Sequence, residues 1–154
     1  MKIGDAMNLS VQEKDCLRFA AILHDVGKIG LSVIILRKDS WLNTEEMKNV
    51  RSHPDAGVQI LKPIHFLGSA LPVIRHHHEK FDGTGYPLGL KGREIPLLAR
   101  IICVADAWDA MRSDRPYRGA LSVQAAREEL LSHAGTQFDP EIVKTFLHSV
   151  EHTS

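Results

Sequence analysis

The residues of this chain that could do chemistry are histidines and aspartates. Nine histidines occur among 154 residues, and three stand together as His76-His77-His78. A purification tag would sit at a terminus, whereas this run is internal. Consecutive histidines near the end of an amphipathic segment cannot all be buried without partners. His24-Asp25 closes an apolar stretch and is followed by Gly27-Lys28. Adjacent helical residues point about 100° apart, so both members of such a pair can reach a cation held between two helices. Lys28 lies one turn on, beside them. The plainer reading of the same residues is a helix end, with Gly27 as terminator and Lys28 complementing the dipole. His53-Pro54 also reads as a helix end, where a histidine suits the dipole. Asp106 and Asp109 share a helical face at i, i+3 among apolar neighbours, and a buried carboxylate needs a cation or several donors.

Taken together, His24, Asp25, His53, His77, His78 and Asp106 form a candidate metal-binding set. Histidine and carboxylate without thiolate suits iron, manganese, zinc or nickel better than calcium or magnesium. Six ligands exceed what one open catalytic metal needs, so the set implies at least two ions. Two such ions can activate water and clamp a phosphoryl oxygen, an arrangement suited to phosphoester hydrolysis.

The elements that must position these residues read as helices joined by short loops. Ser10-Val11-Gln12-Glu13 is a capping box. The helix it opens is expected to run to about Lys28, with Leu17, Ala20, Ala21 and His24 on one face. Asn43 and Thr44 with two glutamates start a second helix, expected to end near His53-Pro54, and a short one follows. Pro72 fits the first turn of a helix to about Glu79. Pro96 opens a long helix through Met111. Ser122 caps another, closed by Gly135, and Asp139-Pro140 opens the last. Asp82-Gly83-Thr84-Gly85-Tyr86-Pro87 breaks both regular periods and reads as loop. Strand alternation is not evident. The expectation is an all-α fold, a single-domain bundle of about six helices over residues 1–154.

Bulk properties narrow the partners. Apolar residues make up 44% and charged residues 25%, ordinary for a globular domain. The formal net charge is zero, so neither a DNA or RNA polymer nor an anionic membrane is expected as a partner. Apolar runs such as Val33-Ile34-Ile35-Leu36 are too short to span a bilayer. Cys16 and Cys103 sit in apolar runs and read as free thiols of a cytoplasmic protein.

The motifs, in their order and spacing, resemble the HD-GYP family of metal-dependent phosphodiesterases. The matching text is His24-Asp25-Val26-Gly27-Lys28-Ile29-Gly30, His53-Pro54, and the stretch His77-His78-Glu79-Lys80-Phe81-Asp82-Gly83-Thr84-Gly85-Tyr86-Pro87. It continues through Leu90-Lys91-Gly92-Arg93-Glu94-Ile95-Pro96, then Val104-Ala105-Asp106-Ala107-Trp108-Asp109-Ala110-Met111, Ser113-Asp114-Arg115-Pro116-Tyr117-Arg118 and Gly135-Thr136-Gln137-Phe138-Asp139-Pro140. The resemblance implies an HD-type helical bundle that hydrolyses cyclic di-GMP to pGpG or GMP. It implies His24, Asp25, His53, His77, His78 and Asp106 as ligands of two or three divalent metals, with iron or manganese favoured and zinc or nickel as alternatives. It implies Lys28 and Asp25 as catalytic, Tyr86, Arg115 and Arg118 as substrate contacts, and Asp109 as a residue orienting a ligand or an arginine. Guanidinium groups suit such a substrate because each can bind phosphate through two parallel hydrogen bonds. Family members usually carry a preceding helix that adds a histidine to the site, and residues 3–7 read as the tail of such a helix. Apolar surface bared beside it gives a reason to form a homodimer. Sensor, receiver or GGDEF-type domains are the partners the resemblance suggests. The rival expectation is a catalytically impaired module of the same fold that senses the nucleotide or contacts a protein.

Overall fold

A computed structural model describes residues 2–36, 38, 40–114 and 119–151. Among these residues no strand forms, and the one extended pairing is an isolated bridge between Ala134 and Phe138. Among the described residues nine α-helices follow in order: α1 (Lys2–Ala6), α2 (Val11–Leu23), α3 (Val33–Leu36), α4 (Thr44–Arg51), α5 (His53–Leu61), α6 (Leu71–His76), α7 (Leu97–Arg112), α8 (Val123–Ser132) and α9 (Pro140–Glu151). Short 3₁₀ segments cover Val26–Gly30, His65–Ala70 and Gly92–Glu94. Six of the helices run eight residues or more, in keeping with the bundle expected from the periodicity.

The starts of these helices follow local chemistry. Ser10 and Asn43 each accept a hydrogen bond from the backbone N–H three residues on, and Glu13 and Glu46 reach back to complete both capping boxes. Ser122 caps α8 in the same way. Asp139 accepts from the Glu141 N–H at the head of α9 and is paired with Arg100 of α7. That charge pair, nearly enclosed, ties α9 to the central helix.

The core runs along α7. Ile101, Ile102 and Val104 are buried with Leu17 and Ala20 of α2, Ile74 of α6, Leu130 of α8 and Ile142 and Val143 of α9. Burying each of these leucine, isoleucine and valine side chains stabilises the fold by roughly 1.5–3 kcal/mol.

Three boundaries differ from expectation. α2 ends at Leu23 instead of Lys28, with His24 as its C-cap and residues 26–30 in a tight 3₁₀ turn. α6 stops at His76. α4 ends at Arg51, and His53 opens α5 instead of closing α4. The first and third share a cause. Gly27 lies against the start of α5, so that a Cβ built on it would stand 1.9 Å from the His53 carbonyl oxygen and 2.6 Å from the Gly57 nitrogen. Only glycine permits that approach, and a continuous helix would carry the chain away from it.

Candidate metal centre

The helix ends and turns that the sequence flags as chemically interesting meet in space. His24 caps α2, Asp25 precedes the 3₁₀ turn, His53 opens α5, His77 and His78 follow α6, and Asp106 projects from the middle of α7. Donor atoms of Asp25, His53, His77 and His78 lie within 4.8 Å of one another. His53 Nε2 is 3.3 Å from Asp25 Oδ1 and 3.4 Å from His77 Nε2. His24 Nε2 stands 3.7 Å from both Asp25 Oδ2 and Asp106 Oδ1.

Backbone carbonyls fix the state of three of these rings. Nδ1 of His24, His53 and His77 lies 2.9, 2.7 and 2.7 Å from the carbonyl oxygens of Ala21, Val50 and Ile74 respectively. A carbonyl can only accept, so Nδ1 carries the proton and, in the neutral ring, Nε2 presents a lone pair. The His53 and His77 lone pairs therefore face each other, and the His53 lone pair also faces Asp25 Oδ1, a buried oxygen with no hydrogen-bond partner. Converging acceptors without a donor are costly unless a cation sits among them. Histidines held by their second nitrogen on a carbonyl are also the usual form of metal-ligating imidazole. The donor set thus fits a divalent metal ion.

Electrostatics point the same way. Burial, with His78 beside it, takes His77 down to about 3. Burial and the neighbouring His53 take His78 to about 4. Both rings are neutral, ligand-ready imidazoles at pH 7. Burial works against the charge on Asp25, but the Lys28 ammonium on its other oxygen outweighs it and holds the carboxyl well below the usual carboxylate range. Asp106 is held low chiefly by His24, which is raised in turn chiefly by Asp106.

The two Asp25 oxygens face different neighbours. Oδ1 faces His53 of the buried group, whereas Oδ2 faces His24 and accepts from Lys28 Nζ at 2.7 Å. Asp25 stands between a buried subsite and an open one.

Tyr86 stacks on His78 with ring centroids 4.9 Å apart, and burial pushes its hydroxyl up to about 12. Asp109 is exposed one turn beyond Asp106. It lines a cavity of about 240 Å³ with His24, Asp106, Ile3, Leu17 and Ile101. Arg115 and Arg118 lie outside the described residues. Cys16 is buried and Cys103 half-buried, both as free thiols.

Two neighbours of the site escaped the sequence reading. The Arg51 guanidinium lies 5.4 Å from the Tyr86 ring centroid, but in sequence it is only a basic residue at a helix end. Glu79 is buried and accepts from the Leu88 and Leu90 N–H groups at 2.8 and 3.1 Å. Among the described residues no helix is long and apolar enough to cross a membrane.

Comparison with known proteins gives a consistent picture. Residues 1–142 match the HD domain family. The chain is 41% identical over 150 residues to a cyclic di-GMP phosphodiesterase of Thermotoga maritima, covering 95% of this chain and 40% of that protein. It is 41% identical over 138 residues to 3'3'-cGAMP-specific phosphodiesterase 3 of Vibrio cholerae, covering 88% of this chain and 30% of that one. The chain therefore spans well under half the length of these relatives. In fold it resembles a cyclic GMP-AMP-specific phosphodiesterase of V. cholerae, with a TM-score of 0.74 at 23% identity over 97% of this chain and 41% of the other. It also resembles an HDG"Y"P protein of Bdellovibrio bacteriovorus, with a TM-score of 0.75 at 19% identity over 97% and 48% of the two chains.

Proposed function

The chain belongs to the HD domain family, and from that premise we propose that it is a metal-dependent phosphodiesterase acting on cyclic di-GMP, releasing pGpG or GMP. The observation that carries this reading is the convergence of the His53 and His77 Nε2 lone pairs and Asp25 Oδ1 without a donor between them. The relatives' names give the substrate class.

His53, His77, His78 and Asp25 Oδ1 would hold one ion, and His24, Asp106 and Asp25 Oδ2 a second. Iron or manganese suits such nitrogen and oxygen donors. When bound, two such ions supply Lewis-acid polarisation of the phosphoryl oxygens and lower the pKa of water at neutral pH. The chain's own residues do the rest. Lys28, held by Asp25, places an ammonium at the open side, where charge develops on the phosphate. Tyr86 offers its ring as a platform beside His78. Asp109 would orient a ligand or a basic side chain, and Arg115 and Arg118 would bind the phosphates. The proposed setting is the cytoplasm, where Cys16 and Cys103 stay reduced.

The test is elemental analysis of anaerobically purified protein beside turnover of cyclic di-GMP and 3'3'-cGAMP. The expected result is about two transition-metal equivalents per chain and release of the linear product. Less than about one equivalent after reconstitution, or intact substrate with full metal, would overturn the reading. A secondary arm uses Arg115→Ala with Arg118→Ala, expected to weaken nucleotide binding while leaving metal content unchanged.

A further inference from the structure

Glu79 follows two candidate metal donors in sequence yet takes no part in the donor cluster. Its side chain is wholly buried. A buried carboxylate is tolerated only where donors meet both oxygens. Here Oε1 accepts from the Leu88 N–H and Oε2 from the Leu90 N–H. The nearest ring nitrogen, His76 Nδ1, lies 3.5 Å away and makes no hydrogen bond. The carboxylate is therefore met mainly by the main chain of one loop, residues 83–90.

That loop is drawn onto the same short stretch at two further points. The Tyr86 N–H donates to the His78 carbonyl at 3.2 Å. Gly85 packs so tightly that a Cβ on it would stand 2.2 Å from the Lys80 nitrogen and 2.6 Å from the Glu79 Cα. The outcome is the Tyr86 ring stacked on His78, with Arg51 over the ring. Lifting the loop would strand the Glu79 charge, so Glu79 fixes where Tyr86 stands relative to the donors.

We infer that Glu79 is a positioning residue: by holding the amides of residues 88 and 90 it sets the Tyr86 platform over His78, and so governs affinity for the dinucleotide without touching substrate or metal. The inference rests on the reading of the site as a cyclic dinucleotide phosphodiesterase.

The test compares wild type, Glu79→Gln and Glu79→Ala in the full, metal-loaded chain on two substrates. One is cyclic di-GMP. The other is bis(p-nitrophenyl) phosphate, a small diester that needs the metals but not the platform. For Glu79→Ala, the KM for cyclic di-GMP should rise by about 3–10-fold, up to the worth of the aromatic platform it positions. Turnover of the small diester should stay within about twofold of wild type, a change below the scale of a lost interaction. Metal content should not change. Glu79→Gln keeps one acceptor oxygen and should fall between, and it carries the test if the alanine variant does not fold. Equal losses on both substrates, or no loss on either, overturn the inference. A second readout does not depend on activity. In the zinc-loaded chain, Leu88 and Leu90 amide protons should lose exchange protection, and the Tyr86 ring protons should lose the ring-current shift from His78. Unchanged protection and shift overturn the inference even if cyclic di-GMP proves not to be the substrate. Intact cyclic di-GMP with wild-type protein would instead remove the functional reading alone.

Discussion

The donor cluster has two halves built on different principles. In the inner half, the His53 side chain is fully enclosed and His77 is buried, each locked by a backbone carbonyl behind it. In the outer half, the Asp25 and Asp106 side chains are each 41% exposed, and charge partners set their state. The inner half is held by hydrogen bonds to main chain that do not vary with salt or side-chain motion. In the outer half His24 is likewise held by the Ala21 carbonyl, but Asp25 and Asp106 are held by ion pairs that solvent screens. An inner position of this kind suits a resident ion, and an outer one suits exchange with substrate and water.

The strongest way to break this contrast is to delete an inner ring. His53→Ala and His77→Ala should each cost at least about 100-fold in turnover and release most of the metal, because a direct ligand outweighs the 10–100-fold typical of outer-shell partners. Elemental analysis beside a phosphodiesterase assay checks it, and an inner-ring variant that keeps its metal would dissolve the distinction. Next comes Asp106→Asn on the outer side. It should lower the affinity of one ion by about 100-fold or more while the other stays bound and the helical circular dichroism stays native. Competition with a chelator reads it, and loss of both ions together would merge the halves into one. Asp25→Asn touches both groups and should mimic the inner deletion.

Acid sharpens the contrast in the metal-free chain. His77 and His78 have folded-state values of about 3 and 4 against 6.5 for a free histidine. A lowered folded value means stability present above the unfolded pKa and lost as pH falls toward the folded one. His24 is shifted upward, so its contribution is present at low pH and lost as pH rises. His77 and His78 together outweigh His24, and stability should fall by roughly 3 kcal/mol between pH 7 and pH 5. Urea denaturation at several pH values measures this, and a flat profile would mean that the inner rings are not desolvated. The smallest effect belongs to the platform. Tyr86→Ala should raise KM by about 2–10-fold with metal content intact, the worth of one aromatic contact. Steady-state kinetics at fixed metal loading checks it.

How far these halves were legible in the sequence follows from what each residue depends on. The caps at Ser10, Asn43 and Ser122 are local, and the helices start where the sequence says. His24, Asp25, His53, His77 and His78 could be singled out as polar residues clustered at helix ends, and Asp106 as a carboxylate among apolar helical neighbours, both costly without a partner. Helix ends were less legible. The stop at Leu23 and the restart at His53 depend on Gly27 meeting α5, a contact between segments 26 residues apart in sequence. Glu79 was hidden for a related reason. A carboxylate after two histidines looks like another donor, and only the fold turns it toward the amides of residues 88 and 90.

The meeting of Gly27 with the His53 carbonyl has a bearing on which ions this frame accepts. Main chain touches main chain there, with no side chain between to bend or change rotamer. The gap between the Asp25 turn and the first residue of α5 is therefore a fixed gauge. An ion of larger or smaller radius meets the same opening, so its fit must be absorbed by the reach of the imidazole and carboxylate groups and by its own water. A frame of that kind discriminates by size through rigidity, whereas one closed by flexible side chains would stretch to suit each guest. Any residue bulkier than glycine at position 27 would have to push the start of α5 away, and so widen the gauge itself.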